Sequence, residues 1–166
     1  MDEGILNALV EYPAKALQMI GTDKTIASLL TNNPDIDMDS DEADQVFDKF
    51  LFDYGYVDNT TDEAHAYVCI EVEVPRVPTP TIKDVRMYVQ IFCHKQFMQI
   101  DPLKFKGVIG NRRDNISKQV DNLLSGSDIF GIGKLSLEYA RVSSAPVGFS
   151  ARELSYRISD FRDSAR

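Results

Sequence analysis

The sequence lacks the features of several common classes of protein. No apolar run approaches the roughly 20 residues that are needed to cross a bilayer. Two cysteines, Cys69 and Cys93, are too few for a disulfide framework, and both lie in apolar segments where a free cysteine usually packs as a small hydrophobic residue. The N-terminus has neither the basic segment of a signal peptide nor a glycine at position two for myristoylation. These absences predict a protein that is made on the cytoplasmic side of a cell and has no membrane partner.

Positive charge is also scarce relative to negative charge. The 166 residues include 18 basic and 26 acidic side chains, which gives a formal net charge of -8. An acidic surface repels both the phosphate backbone of nucleic acids and anionic membranes, so we expect no groove binding and no membrane docking. The length fits one domain, residues 1–166, and 43% hydrophobic residues suffice for a core that buries roughly 70% of the unfolded surface.

The first part of the chain, residues 1–52, has helical spacing of apolar side chains. Pro13 is expected to kink or split the first helix, and Asp23 could cap a second one. Asp39 and Glu42 have the spacing of a capping box before a third helix. The apolar positions that define the three helices are Ile5, Leu6, Leu9, Val10, Ala16, Leu17 and Ile20, then Ile26, Leu29 and Leu30, then Val46, Phe47, Phe50 and Leu51.

The remainder, residues 65–162, alternates as strands do. Apolar side chains take the even positions from Ala66 to Val74 and the odd positions from Val85 to Cys93, while Glu71 and Glu73 fall on the opposite face. An amphipathic helix over residues 111–124 and two further alternating runs follow. The predicted fold is α/β (α+β): a mostly antiparallel four-stranded sheet in β-β-α-β-β order, with helices on one face and preceded by N-terminal helices. Its expected core is Val68, Ile70, Val72, Met87, Val89, Ile91, Ile116, Val120 and Leu124.

Motifs for metals and phosphate are incomplete. Asp35, Asp37 and Asp39 match the first positions of a calcium loop, but Ser40 replaces the required glycine and Val46 the bidentate glutamate. A solvated acidic loop is the better interpretation. Residues 131–134, GIGK, resemble a phosphate loop only superficially, because the earlier glycine is absent and a strand follows where a helix is needed.

Catalytic patterns are absent as well. If the two strands pair, His65 falls opposite His94 with Cys69 on the same face, but three ligands spread over more than one strand repeat predict structural histidines, not a zinc site. Cys93 and His94 are adjacent on a strand and therefore point to opposite faces. Arg112 and Arg113 could contact an anion, although a salt-bridged or solvated helix start is more common. We expect no catalytic residues, no metal, no cofactor and no enzyme.

From about Phe52 to Phe161 the sequence resembles the neck proteins of tailed bacteriophages, in the tail-terminator and head–tail connector group. The resemblance is carried by element order and by five segments: FDYGYVDNTTDEAHAYVCIEVEV, IKDVRMYVQIFCHKQFM, GNRRDNISKQVDNLLSGS, FGIGKLSLEYARV and ARELSYRISDF. It implies a virion subunit that assembles as a ring, most often a hexamer, which terminates the tail tube and joins it to the head. Adjoining neck and tail-tube proteins would be its partners, and DNA would pass without specific binding.

Such a ring predicts where contacts lie. The excursions over residues 75–83 and 143–150 are too long for tight hairpins, and loops of this kind commonly carry binding. The expected contact residues are Pro75, Arg76, Val77, Pro78, Pro80, Ser143, Ser144 and Pro146, and the expected lumen-facing residues are Asp35, Asp37, Asp39 and Asp41.

Three alternatives to a tail terminator remain: a connector or head-completion protein at the portal, a regulatory or adaptor protein of a mobile element, and an enzyme assembled from scattered carboxylates.

Overall fold

The computed structural model describes residues 6–57, 63–78 and 82–161, which form four α-helices, one 3-10 helix and five strands. The expected helical first part and strand-rich second part are both present. In chain order the elements are α1 (Ala8–Gly21), α2 (Lys24–Thr31), α3 (Asp41–Lys49), β1 (Leu51–Phe52), β2 (Ala66–Arg76), β3 (Ile82–His94), a 3-10 helix (Lys95–Phe97), α4 (Arg112–Leu124), β4 (Ile132–Ser143) and β5 (Phe149–Phe161).

The sheet is mixed and five-stranded, in the order β1-β2-β3-β5-β4. The prediction of four mostly antiparallel strands therefore misses β1, which runs parallel to β2 with Leu51 opposite Val68. The helix that was expected to include Phe50 and Leu51 ends at Lys49, because the Phe50 backbone leaves the helical region and its carbonyl accepts a hydrogen bond from Val68 N at 2.8 Å. A two-residue strand shows no periodicity, so the alternation of apolar residues could not indicate it.

The register of the long strands agrees with the predicted faces. Ile70 lies opposite Val89 on the antiparallel β3, and β5 lies between β3 and β4. The expected core is buried on one face of the sheet, against Ile116, Val120 and Leu124 of α4, with one exception. Val72 is only half-buried, since it lies towards the end of β2 that β1 does not flank.

The helices of the first part differ from the prediction in two details. Pro13 neither splits nor ends α1. Proline has no amide hydrogen, and the hydrogen bond that it cannot make would have gone to the carbonyl oxygen of Leu9, which lies in the exposed first turn of the helix. Ser40, not Asp39, caps α3 by accepting a hydrogen bond from Ala43 N, and Glu42 instead accepts one from the Asn33 amide. The predicted cap of α2 is confirmed, since Asp23 Oδ1 accepts from Ile26 N at 2.9 Å.

Within the described ranges, no helix has the length and apolar character that crossing a membrane requires.

Candidate functional site

The sheet has one face covered by helices and one face that is polar. Tyr156 on β5 donates from its hydroxyl to Asp121 of α4, and Arg152 on β5 donates to Asp114 of the same helix. These contacts define the covered face, which α1 and α4 pack against. The residues that alternate with them point the other way, and we call the surface that they form the open face. It carries Tyr67, Cys69, Glu71 and Glu73 of β2, Asp84, Arg86, Tyr88, Gln90 and Phe92 of β3, and Glu153, Ser155 and Arg157 of β5.

A cleft of about 390 Å3 crosses the open face from β2 to β4. Three carboxylates and one guanidinium give it a formal charge of -2, and two phenols and a carboxamide complete the polar lining. We call it the acidic cleft. The lining residues are Cys69, Glu71, Glu73, Tyr88, Gln90, Tyr139, Arg141 and Glu153.

Hydrogen bonds fix the side chains on the β4 side of the acidic cleft. Tyr139 donates from its hydroxyl to Glu153 Oε1 at 2.6 Å, and Arg141 approaches the same oxygen at 3.4 Å. The hydrogen bond to the carboxylate raises the pKa of Tyr139, because it stabilises the protonated phenol. Glu153 is nearly buried, so these two partners hold a carboxylate that is otherwise shielded from water. This wall of the cleft is preorganised.

On the β2 side the carboxylates are more exposed. Glu71 Oε1 accepts a hydrogen bond from Gly55 N at 3.1 Å, which attaches the segment after β1 to the rim of the acidic cleft. Cys69 lies at the base, and burial raises the pKa of its thiol. Burial also raises the pKa of Cys93, on the covered face, to about 12. Both thiols are therefore protonated at neutral pH and are poor nucleophiles.

Ion pairs lie at the far end of the open face. Asp84 is buried and accepts hydrogen bonds from Arg76 Nε at 2.9 Å and from Arg157 Nε at 3.1 Å. Burial alone would raise the pKa of Asp84, but the two guanidinium groups lower it below its usual value. Arg76, which was expected to contact a partner from a loop, thus belongs to a strand and pairs with Asp84, although most of its side chain stays exposed.

The other residues of the first expected contact segment lie at the end of β2. Pro75 is the last residue but one of that strand, and Val77 and Pro78 follow it and are exposed. Strand β2 is thus longer than predicted, because no strand of the described ranges pairs with its outer edge beyond β1 and such an edge tolerates a proline. Pro80 lies outside the described residues.

The second expected contact segment is a turn between β4 and β5. Ser143 ends β4, Ser144 is exposed, and Pro146 accepts a hydrogen bond from Phe149 N at 3.0 Å through its carbonyl oxygen. Val147, which the sequence did not single out, is 85% exposed at the tip of this turn. The turn therefore presents an apolar side chain to its surroundings.

The four aspartates that were expected to face a lumen are all exposed, and they lie in the turn before α3 and in the first turn of that helix. Asp37 Oδ1 accepts a hydrogen bond from Asp39 N at 3.0 Å within this turn. No group of three histidine, cysteine, aspartate or glutamate side chains in the described residues is arranged to hold a metal ion.

The two histidines face each other across β2 and β3 as expected, with His94 N donating to His65 O at 3.0 Å. Their rings, however, contact aromatic neighbours. His65 lies 5.5 Å from the ring of Phe50, and His94 lies 5.2 Å from that of Phe149. His94 Nδ1 also accepts from Gln96 N and so caps the 3-10 helix. Both rings thus have structural contacts.

An aromatic cluster beside the open face was missed at the level of the sequence. Phe52 and Tyr56 stack with ring centroids 4.0 Å apart, and Tyr67 lies within 6.2 Å of both rings. Tyr56 is 46% exposed, so the cluster continues the open face with an apolar surface. The signal that could have found it is the period-two spacing of Phe50, Phe52, Tyr54 and Tyr56.

Strand β4 forms one edge of the sheet. Its outer side pairs with no other strand in the described part of the chain. Apolar side chains along it are exposed, with Val142 at 65% and Leu137 at 37%. A long free edge with apolar side chains is a ready template for pairing with another chain.

The segment over residues 95–110, which we call the lysine loop, is held in place by Arg112. This arginine is 2% exposed, so the expectation of an anion contact or a solvated helix start is wrong. Its guanidinium donates to Phe97 O at 2.9 Å and lies 3.8 Å from the Phe97 ring centroid. Two apolar side chains of the loop are exposed, Leu103 at 84% and Ile109 at 86%.

Arg113 is also nearly buried. It donates to Ser150 Oγ at 2.6 Å, and its Nε lies 3.0 Å from Asp114 Oδ1. The expectation of a salt-bridged helix start is therefore correct for Arg113. Its side chain also joins the start of α4 to the start of β5.

Comparison with known proteins gives one family. A family model described as YomW matches residues 23–158, which include helices α2 to α4, strands β1 to β4 and all but the last three residues of β5. No curated protein matches the sequence.

Proposed function

We propose that this chain, which belongs to the YomW family, is a structural subunit of a tailed-phage neck. The family carries the name of a gene in a phage region of Bacillus, which indicates a phage-associated protein. In this proposal copies of the chain form a ring, most simply a hexamer, that terminates the tail tube and joins it to the head. The chain is then a component of the virion, and its partners are itself and the adjoining neck and tail-tube proteins.

The observation that carries the proposal is the free edge of β4. Its backbone donors and acceptors face outward beside exposed Leu137 and Val142. Among the described residues, the outer edge of β2 is also unpaired beyond the short β1, at the opposite side of the sheet. Two unlike edges allow head-to-tail association, in which every subunit uses a different surface towards each neighbour and rotation closes the ring.

Exposed apolar side chains at both ends of the sheet add support. Ile129, 48% exposed, precedes the start of β4, and Val10, 74% exposed, lies on α1, whose Tyr12 ring contacts Phe130. Val147 follows the end of β4, and Lys95 N donates to the neighbouring Gly148 O at 2.8 Å, so the lysine loop begins beside it. A neck ring needs one surface for the tail and another for the head, and these two ends would supply them.

Charge is consistent with passage of DNA through such a ring. The net charge of -8 disfavours any grip on phosphate, and the exposed aspartates Asp35, Asp37, Asp39 and Asp41 are the leading candidates for the lumen. Catalysis has no part in the proposal, because both thiols are protonated at neutral pH and the nearly buried carboxylate of the acidic cleft, Glu153, is engaged with a phenol and an arginine.

Deletion of the gene from its phage tests the proposal. Electron microscopy of the resulting lysate should show separate heads and tails, or tails of uncontrolled length, and wild-type protein supplied from a plasmid should restore complete particles. Normal, infectious particles from the deletion would contradict a structural role and would favour a regulatory protein.

A further inference from the structure

We propose that the acidic cleft of one copy binds the lysine loop of the next copy in the ring. This inference rests on the proposed function, because it names one contact by which the ring subunits associate. The occupant is thus a second copy of this chain, and the chemistry is the pairing of lysine ammonium groups with glutamate carboxylates.

The lysine loop is a local reversal of charge in an acidic protein. Over residues 95–110 it carries Lys95, Lys104 and Lys106 against one carboxylate, Asp101, for a formal charge of +2. None of the ion pairs among the described residues uses these three lysines. Their charges are therefore available to a partner.

The loop is also held in place by contacts within its own copy. Phe105 is buried and lies 5.6 Å from the Arg112 guanidinium, and Asp101 accepts hydrogen bonds from Leu103 N and Phe105 N. At its other end, the Asn115 side chain donates to Ile109 O at 2.8 Å. A surface that is ordered in advance loses little conformational entropy on association, which favours affinity.

The acidic cleft has the complementary properties. Its formal charge is -2, and the carboxylates of Glu71 and Glu73 are on exposed residues at its rim. The rings of Tyr54 and Tyr56, which lie beside the cleft, are 54% and 46% exposed. They would cover the exposed apolar side chain of Leu103 from the lysine loop of the next copy. Charge at the centre with apolar contacts beside it gives both specificity and buried area.

The positions of the two surfaces suit a head-to-tail contact. The lysine loop packs on the helix layer, where Arg112 joins it to Leu29 of α2, whereas the acidic cleft is on the open face of the sheet. One copy can thus engage a neighbour through each surface, which is the requirement for a ring. Subunits that each carry -8 repel one another overall, so a contact between unlike charges also selects the docking orientation.

Charge reversal with restoration tests this inference. The variants are Glu71→Lys/Glu73→Lys, Lys104→Glu/Lys106→Glu, and the combination of all four, with Lys15→Glu/Lys24→Glu as a control at exposed lysines outside both surfaces. The mass of each purified full-length protein is measured by light scattering during size exclusion, at low and high salt, and its melting temperature shows whether it is folded.

The wild type and the control should form an oligomer of fixed mass. Either reversed pair should raise the dissociation constant by roughly tenfold or more, because like charges then meet, and the fourfold variant should recover the oligomer. Reversed pairs that stay folded and keep wild-type association would overturn this interface while leaving the ring itself standing. A wild type that is monomeric at every concentration would overturn it too, and the deletion phenotype would still decide the neck function separately.

Discussion

The Arg112 guanidinium donates a hydrogen bond to the carbonyl oxygen of Leu29 at 2.6 Å, and so joins the first turn of α4 to the last turn of α2. The same side chain bonds Asn32 Oδ1 at 3.0 Å and Phe97 O at 2.9 Å. One buried cation thus satisfies three acceptors, two at the end of α2 and one in the 3-10 helix, and burial lowers its pKa without making it neutral in the physiological range. The lysine loop depends on this residue for its shape.

Replacement of Arg112 by methionine should destabilise the protein. The change keeps a long apolar side chain but leaves the carbonyls of Leu29 and Phe97 without a donor, and a buried unpaired acceptor costs about 1–3 kcal/mol. Chemical denaturation should show the loss, and hydrogen exchange should show it first in the lysine loop. Lys118→Met, an exposed change on the same helix, is the matched control and should be nearly neutral. Equal stability of the two variants would show that Arg112 does not organise the loop.

Ile70→Ala should be strongly destabilising. Ile70 of β2 is fully buried on the covered face of the sheet, and truncation of such a side chain costs about 2–5 kcal/mol. For a chain of this size that corresponds to a decrease in melting temperature of roughly 5–20 °C. Val142→Ala, on the exposed edge of β4, removes a similar side chain without opening a cavity and should change the melting temperature little. An unchanged melting temperature for Ile70→Ala would reject the assigned core.

Gly21→Ala should lower stability although alanine favours helices. A methyl group at Gly21, the last residue of α1, would overlap the ring of Phe47 and would lie 3.0 Å from Leu51 Cδ1. Overpacking of this kind costs about 1–3 kcal/mol, which exceeds the helix propensity gained. The Phe47→Leu background makes room for the methyl group, so a double-mutant cycle should show that most of the cost disappears there. A cost that persists in that background would exclude the overlap as its cause.

Asp114 should contribute stability that is lost in acid. Burial alone would raise the pKa of Asp114, but hydrogen bonds from Arg113, Arg152 and Asn111 lower it well below its usual value. Because the pKa of Asp114 is lower in the folded state than in the unfolded state, its carboxylate stabilises the fold at any pH above the unfolded-state pKa, about 3.9. This contribution is lost as the pH falls through the pKa of the folded state. Asp114→Asn should therefore melt lower than the wild type at pH 7.

The difference between Asp114→Asn and the wild type should narrow below about pH 4. Its size should be modest, because the Asp114 side chain is 39% exposed and solvent screens its ion pairs. Melting temperatures measured from pH 7 to pH 2 check the trend, with Asp35→Asn, in the exposed turn before α3, as the control. A difference that stays constant over this range would mean that the carboxylate charge of Asp114 does not stabilise the fold.

Local patterns sufficed for the parts of the fold that are periodic. The alternation around Ile70 and Val89 predicts both strands and the face that each one buries, and Asp23 predicts the start of α2. Strand β1 escaped because two residues have no period, and its place depends on the pairing of Leu51 with Val68. That pairing is a tertiary contact.

The candidate site was only half predictable. Glu71 and Glu73 fall on the polar face by alternation alone, but Tyr139 and Glu153 join them only because β5 lies between β3 and β4. The anchoring role of Arg112 could not be foreseen either, since its acceptor on Leu29 lies 83 residues away.

The measurement that tests the neck assignment most directly is quantitative mass spectrometry of the encoding phage's particles, purified on a density gradient and washed in high salt. A neck ring predicts that the chain remains in the particle at a fixed, low number of copies, about one hexamer for each portal ring. It also predicts that the chain is present in both the wild type and a plasmid-complemented deletion. Absence of the chain from washed particles, or an amount that varies between preparations and decreases with each wash, would contradict a structural role in the virion.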